Sequence, residues 1–327
     1  MATRNIPVYV VVPPRALLLD LAGPLEVLRR ANLLQDAIGF DVHYVGAARA
    51  VRTSVGIELG AIQRLPPKLP EGAMVIIVGN VDLLIDGVGG TAADAKQEAE
   101  IVEWLRDTIR PGQRVITICS GALLAARAGL LDGYECTTHF LSCADLAALA
   151  PKACVVENRL YVEDGERLSS AGVTAGIDLM LHVVAQLTDH ACAAAVARYL
   201  VVYMRRGSSD PQLSPWLEGR NHLHPAVHRI QDAIASEPTR QWPAQHLAKL
   251  AGTSPRHLSR LFYQHTGMHL ADYRNRLRAA LARELISQTR LDIERVAERS
   301  GFSSSRQLRR VWKKLYADAP RHMREVN

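Results

Sequence analysis

The stretch from Gln245 to Arg324 carries one design twice, and a doubled design at a set spacing leaves few folds open. In the first copy Leu247, Ala248 and Ala251 share a helical face and Gly252 turns the chain. Ser254 then stands where it can cap a second helix, with Leu258, Leu261 and Phe262 pointing inward. Val296, Ala297 and Gly301 follow Leu247, Ala248 and Gly252 by 49 positions. One extra serine in the turn makes the step 50 thereafter, so Ser304, Leu308, Val311 and Trp312 take the places of Ser254, Leu258, Leu261 and Phe262. Between the copies Leu270, Tyr273, Leu277, Leu281 and Leu285 recur at helical spacing, which predicts one amphipathic helix over residues 270–288. At 1.5 Å per residue that helix spans roughly 28 Å, near the roughly 34 Å of one DNA turn. Two helix-turn-helix units held at that distance suit two adjacent major grooves.

The apolar residues of both second helices are taken up by the core, so what remains is available to DNA. The base-reading candidates are Arg256, His257, Ser259 and Arg260 in the first unit and Ser305, Arg306, Gln307 and Arg310 in the second. A guanidinium can donate two hydrogen bonds to one guanine edge, whereas Arg309, Lys313 and Lys314 sit where phosphate contacts are expected. The charge is divided accordingly. From residue 245 onward 17 Lys and Arg face 7 Asp and Glu, while the first 244 residues hold 22 against 26. A basic quarter attached to a mildly acidic remainder points to a nucleic-acid module joined to a domain that does not bind nucleic acid.

On these marks residues 225–324 resemble the DNA-binding domain of the AraC family of bacterial transcription regulators. The doubled unit, the Gly-Phe-Ser run at Gly301 to Ser303 with Ser304 after it, and the closing Ala319-Pro320 to Arg324 carry the likeness. Leu308 and Trp312 stand where the family has phenylalanine, and Tyr316-Ala317 replaces a glycine-containing turn.

In the first two thirds, strand-like runs at Pro7 to Val12, Phe40 to Gly46, Ala73 to Gly79 and Arg114 to Cys119 alternate with helical patterns at Gly23 to Leu34 and Ala93 to Arg110. That alternation implies a parallel sheet covered on both faces. Helices at Gly176 to Leu187 and His190 to Arg205 close the domain. The most informative run is VITICSGALLAARAGLL, in which Cys119 falls on a sharp strand-to-helix turn like a nucleophile elbow. Helix-start N–H groups there are expected to lower the thiol pKa, and His139 follows at the end of the next strand as an imidazole in reach of the sulfur.

Residues 6–190 thereby resemble the class I glutamine amidotransferase-like superfamily, which includes the PfpI peptidases and isonitrile hydratases and has a flavodoxin-like sandwich fold. Cys119 matches the superfamily cysteine, His139 the histidine after it, and Leu19 to Pro24 the hydratase loop, which makes Asp20 the acid near the cysteine. The glutaminase acid is replaced by Leu141 and the peptidase glutamate falls near Leu17, so neither activity is supported. Two readings stay open for Cys119: a pocket residue without turnover, or the nucleophile of an Asp20/Cys119/Ser120 site with His139. Asp20 equally suits a cap of the helix near Gly23. The ligand pocket is expected above the carboxyl ends of the strands, lined by Asp20, Cys119, Ser120 and His139, with Ala171, Gly172 and Thr174 beside them.

The boundaries expected are residues 1–205 for the sensing domain, 206–223 for a Gly-, Pro- and Ser-rich linker, and 224–327 for the all-α double helix-turn-helix domain. Five cysteines, Cys119, Cys136, Cys143, Cys154 and Cys192, lack paired spacing and suit a reducing compartment. The apolar runs are shorter than a membrane span and Met-Ala-Thr-Arg leads into a strand, which predicts a cytoplasmic protein with no membrane partner. His222, His224 and His228 are separated by Pro225 and lack a nearby cysteine or acid, so no metal and no cofactor are expected. The function expected is a sequence-specific transcription regulator with catalytically degenerate N-terminal domain. Its partners would be double-stranded promoter DNA, a small effector, a second copy in a homodimer, and RNA polymerase. The resemblance to fused regulators of arginine, betaine or carnitine catabolism implies a small nitrogenous effector. The alternative is a cysteine-dependent hydratase or amidase with an appended DNA-binding domain.

Overall fold

The computed structural model describes residues 4–202, 212, 219, 222 and 224–316. It divides into two compact units, Met1–Gln212 and Leu213–Asn327. Most of the stretch expected as linker, Ala317, and the closing motif Ala319 to Arg324 lie outside the described residues.

The first unit runs β1 (Arg4–Val11), α1 (Leu18–Leu34), β2 (Ile38–Gly46), β3 (Val51–Arg52), β4 (Glu58–Leu59), β5 (Gln63–Arg64), β6 (Met74–Ile77), α2 (Ala92–Thr108), β7 (Arg114–Ile118) and α3 (Gly121–Arg127). It continues through β8 (Glu135–Cys136), α4 (Cys143–Leu149), β9 (Cys154–Val155), β10 (Tyr161–Asp164), β11 (Arg167–Ser170), α5 (Ala175–Leu187) and α6 (His190–Tyr199). Among the described residues the main sheet has the order β10-β11-β7-β6-β1-β2-β5, parallel throughout except for the β10–β11 edge. The sheet is covered on both faces, and its middle strand β6 is apolar at every position. All four residues of β6 are buried; Met74 and Ile76 pack with Val8, Val10, Leu28 and Leu179, and Val75 and Ile77 pack with Ile101, Leu105 and Leu124. The result is the parallel sheet covered on both faces that the alternation of strand and helix implied, in the flavodoxin-like arrangement that the resemblance implied.

Two local features depart from expectation. Helix α1 begins at Leu18, well before Gly23, and accommodates Pro24 within it. Gly23 lets α1 pack closely on α5, since a Cβ there would lie 2.9 Å from Ile177. Asp20 is therefore in the first turn of α1, not at its cap. The chain crosses from β2 and β5 on one side of β1 to β6 on the other, so β1 and β6 flank the switch point where a ligand crevice forms in such sheets.

The second unit comprises α7 (Pro225–Ser236), α8 (Ala244–Ala251), α9 (Pro255–Thr266), α10 (Leu270–Gln288), α11 (Ile293–Arg299) and α12 (Ser305–Leu315). It holds two small cores. Val227, Ile230, Leu247, Leu258 and Phe262 surround one, and Val296, Phe302, Leu308 and Trp312 the other. Helix α10 serves both, with Tyr273 and Leu277 in the first and Ala279, Ala282 and Ile286 in the second. Leu308 and Trp312 are fully enclosed, so the departures from phenylalanine preserve the core. Among the described residues no helix is long and apolar enough to cross a membrane.

Candidate functional site

In the first unit the chemistry gathers where β1, β6 and β7 end. Cys119 follows β7 at φ 54°, a left-handed conformation that a side-chain-bearing residue adopts only when its surroundings impose it. Its backbone is pinned on both sides: its N–H donates to the Ser170 carbonyl at 3.0 Å, and its own carbonyl accepts from the Thr138 hydroxyl at 2.7 Å. Two glycines leave the room this needs. A Cβ on Gly172, itself at φ +80°, would lie 2.8 Å from the Cys119 sulfur. One on Gly79 would lie 2.5 Å from Asp20 Oδ2, 2.9 Å from Cys119 Cβ and 3.0 Å from Ser120 Oγ. Asp20, Cys119 and Ser120 thus converge over Gly79.

Asp20 is fully enclosed beneath the thiol, and its Oδ1 accepts from the N–H of Val173 at 2.5 Å. Val173 is β-branched yet sits at φ 50°, so the loop stores strain to aim that N–H at the carboxylate. Burial dominates the acidity of Asp20 and lifts its pKa to about 6, against the hydrogen bonds from Val173, Cys119 and Gly79 that hold it down. Cys119 is pushed up to about 12, first by burial and then by the facing Asp20 carboxylate. This corrects the expectation of an acidified thiol. Helix α3 has only seven residues, and its start does not offset burial beside a carboxylate. The sulfur is a neutral thiol near pH 7.

Ser120 is engaged away from the sulfur. Its hydroxyl donates to the Asn80 carbonyl at 2.9 Å and accepts from the Asn80 N–H at 2.8 Å. Asn80 in turn donates to Glu98, which pairs with Arg127 at 3.1 Å and Arg15 at 3.5 Å. His139 caps no helix through its side chain and packs against Phe140 with ring centroids 4.4 Å apart. Partial burial lowers its pKa, and among the described residues no hydrogen bond joins it to Cys119. The strand before it is shorter than the sequence suggested, ending at Cys136. Ala171 and Gly172 line the buried side of the thiol, while Thr174 is exposed.

Sequence reasoning missed Val173, Asn80, Thr138 and Gln212, which act through backbone position or through a partner distant in the chain. Gln212 Nε2 donates to the Thr138 carbonyl at 2.8 Å, and its N–H donates to Asn158 Oδ1 at 3.1 Å. Gln212 was expected within the linker, yet it is bonded to the wall of the Cys119 site.

In the second unit α9 and α12 start alike. Ser254 Oγ accepts the N–H of His257 at 3.3 Å, and Ser304 Oγ accepts the N–H of Gln307 at 3.2 Å. Arg256, His257, Ser259, Arg260, Arg306 and Arg310 are exposed, and Ser305 and Gln307 half-buried. His257 Nδ1 lies 3.2 Å from an Arg260 guanidinium nitrogen. Gln307 Oε1 accepts from the Ser303 N–H and hydroxyl at 2.9 and 2.8 Å, so its oxygen serves the helix start. Ser259 donates to the Pro255 carbonyl at 3.0 Å and borders a groove with Trp242, His269 and Arg274. Arg310 borders a groove of about 470 Å³ with Asp272, Asn275, Arg276 and Lys314. The rings of His222 and His228 lie 4.4 Å apart and those of His224 and His265 4.6 Å apart. Among the described residues no three His, Cys, Asp or Glu side chains are placed to hold a metal.

Comparison with known proteins matches residues 7–186 to the DJ-1/PfpI family and residues 247–325 to a helix-turn-helix domain. The HTH-type transcriptional regulator GbdR of Pseudomonas aeruginosa is 28% identical over 309 residues, covering 94% of this chain and 81% of that protein. The HTH-type transcriptional regulator CdhR of the same species is 30% identical over 229 residues, covering 69% and 67%. A ThiJ/PfpI family protein from Pseudomonas syringae superposes with a TM-score of 0.50 at 23% identity, covering 77% of this chain and 92% of that one, a likeness of fold.

Proposed function

Because the chain belongs to the DJ-1/PfpI family and carries the AraC-type helix-turn-helix domain of a DNA-binding transcription regulator, we propose that a small molecule bound beside Cys119 controls its occupancy of promoter DNA. One observation carries the reading. The Thr138 hydroxyl holds the Cys119 carbonyl, and the carbonyl of the same Thr138 holds the side chain of Gln212, the last residue of the first unit. A ligand that moves Cys119 or the Thr137–Thr138 segment changes the anchorage of the chain that leads to the DNA-binding unit. Such a ligand acts only if it favours one arrangement over the other. A neutral, enclosed thiol supports a sensor over a hydratase, since a nucleophile works as thiolate. The ligand class proposed is a small nitrogenous metabolite, held by His139 and the polar atoms around Cys119. The working form is proposed to be a cytoplasmic homodimer that acts with RNA polymerase, with Arg256, Arg260, Arg306 and Arg310 in the major grooves.

The test is a genome-wide map of bound DNA for the full chain and for Cys119→Ala, each with and without a panel of amino acids, amines and betaines. Discrete sites whose occupancy changes with one compound, and a Cys119→Ala protein that keeps the sites but not the response, are expected. Uniform, salt-sensitive occupancy sinks the specific-regulator reading, and an unaltered response in Cys119→Ala sinks the pocket.

A further inference from the structure

The two reading helices repeat their DNA-facing chemistry as well as their packing. Counted from the capping serines Ser254 and Ser304, arginine stands at the second and sixth helical positions of both: Arg256 and Arg260 in α9, Arg306 and Arg310 in α12. The inward residues are equally matched, Leu258 and Phe262 against Leu308 and Trp312, so each arginine pair takes the same azimuth on its helix, opposite the core. Neither helix contains an acid. Among the described residues Arg256, Arg306 and Arg310 have no hydrogen-bond or ion-pair partner, and Arg260 touches only His257. By contrast Arg29, Arg52 and Arg240 are each paired with a carboxylate.

We propose that one protomer reads the same guanine pair twice, Arg256 and Arg260 in one major groove and Arg306 and Arg310 in the next. Four residues along a helix rise about 6 Å, close to two base-pair steps of about 3.4 Å. Each box therefore holds two guanines about two base pairs apart, on either strand. Corresponding guanines of the two boxes lie about one turn, or 10 to 11 base pairs, apart. A guanidinium donates bidentately to guanine O6 and N7, whereas an ammonium of equal charge does not hold that planar geometry. Between the boxes the readout differs, because His257 leans on Arg260 while Gln307 is bound to Ser303, which frees its amide nitrogen to meet a further base.

The inference rests on the assignment of α9 and α12 to the major grooves, and one experiment separates failure of each. Random duplexes are selected on the purified full chain at a stated salt concentration, and selection is repeated with Arg256→Lys, Arg260→Lys, Arg306→Lys and Arg310→Lys. The wild type should enrich two guanine boxes one turn apart. Each lysine variant should lose the preference at one guanine and bind the enriched site about tenfold or more weakly. Arg256→Lys and Arg306→Lys should affect corresponding positions of the two boxes. The salt dependence should stay the same because the charge does. These side chains are at the surface, and an unchanged melting curve checks the fold of each variant. A single guanine box, unrelated boxes, or lysine variants that retain the wild-type preference overturn the guanine repeat. Failure of the wild type to enrich any sequence overturns the groove assignment beneath it.

Discussion

Asp20 is a carboxylic acid held where water does not reach, and this has a thermodynamic signature. Its pKa is about 6 in the folded chain against an ordinary 3.8. Below about pH 4 the acid is protonated whether the chain is folded or not. Between pH 4 and 6 the folded state keeps a proton that the unfolded chain has released, so stability falls as pH rises through the folded pKa. At about 1.4 kcal/mol per pH unit the loss is on the order of 3 kcal/mol by neutral pH. Asp20→Asn keeps an acceptor for the Val173 N–H and removes the ionisation. It should unfold later than wild type at pH 7, by about 1–3 kcal/mol, and the advantage should vanish near pH 4; calorimetry of the full chain across that range checks it. The same carboxylate helps keep Cys119 protonated. In the native protein iodoacetamide should therefore modify exposed Cys154 well before Cys119, and Asp20→Asn should accelerate Cys119 several-fold. Peptide mass spectrometry over time reads both rates, and equal labelling of the two cysteines in wild type would sink the neutral-thiol account. The elbow at Cys119 was legible because a β-branched run ends abruptly at Ser-Gly-Ala. The thiol's state was not, because it depends on a carboxylate 99 positions away in sequence and on Gly79 and Gly172, whose part is to be absent as side chains.

At the scale of elements, α10 is more than a spacer. Arg278 in its middle is 2% exposed and donates to the carbonyls of Pro238, Thr239 and Arg240 at 2.8, 3.3 and 2.9 Å. Its guanidinium also borders Gly301 in the turn of the second helix-turn-helix, where a Cβ would lie 3.1 Å from Nε. Burial lowers its pKa, to about 10, and leaves it a cation whose donors are spent on backbone of the α7–α8 connection. Arg278→Met keeps most of the stem's volume and strands those carbonyls. It should cost about 2–4 kcal/mol, read by urea unfolding of the full chain, and lysine should recover only part. A loss below about 0.5 kcal/mol would mean that water satisfies the carbonyls equally well. The doubled motif could be read from sequence because its period is enforced by packing at matched positions. Arg278 looked like one more charge on an amphipathic helix, since its partners come from a loop 38 to 40 residues earlier. The early start of α1 was hidden for a related reason. Gly23-Pro24 is locally a stop signal, and the close packing of Gly23 on Ile177 of α5 involves residues far apart in sequence. The β10–β11 edge was missed because its strands are four residues each around a polar turn at Gly165, too short to set a period.

For the whole molecule the proposal is that a pocket in one unit informs a DNA-binding surface in the other, and Gln212 is where it can be broken. Its amide nitrogen is bonded to Thr138 and its backbone to Asn158, and among the described residues its buried Oε1 has no hydrogen-bond partner. An anchor made of hydrogen bonds to the pocket wall is weak enough for a change in that wall to release it. If ligand and DNA are coupled through this anchor, each changes the affinity of the other by the same factor. Gln212→Ala should leave binding of the enriched operator without ligand intact, and should leave Cys119 equally slow to alkylate, because the Gln212 bonds run to Thr138 and Asn158 and not to the thiol. What it should lose is the reciprocal effect: a compound that shifts wild-type operator affinity five- to 150-fold, the span of about 1–3 kcal/mol of coupling, should shift the variant less than about twofold. Titrating operator with and without that compound, and the compound with and without operator, gives the coupling from both directions. A full effect in Gln212→Ala would show that the signal leaves the pocket by another route. Loss of ligand binding itself would make Gln212 part of the pocket, and the anchor account would fall in that case also.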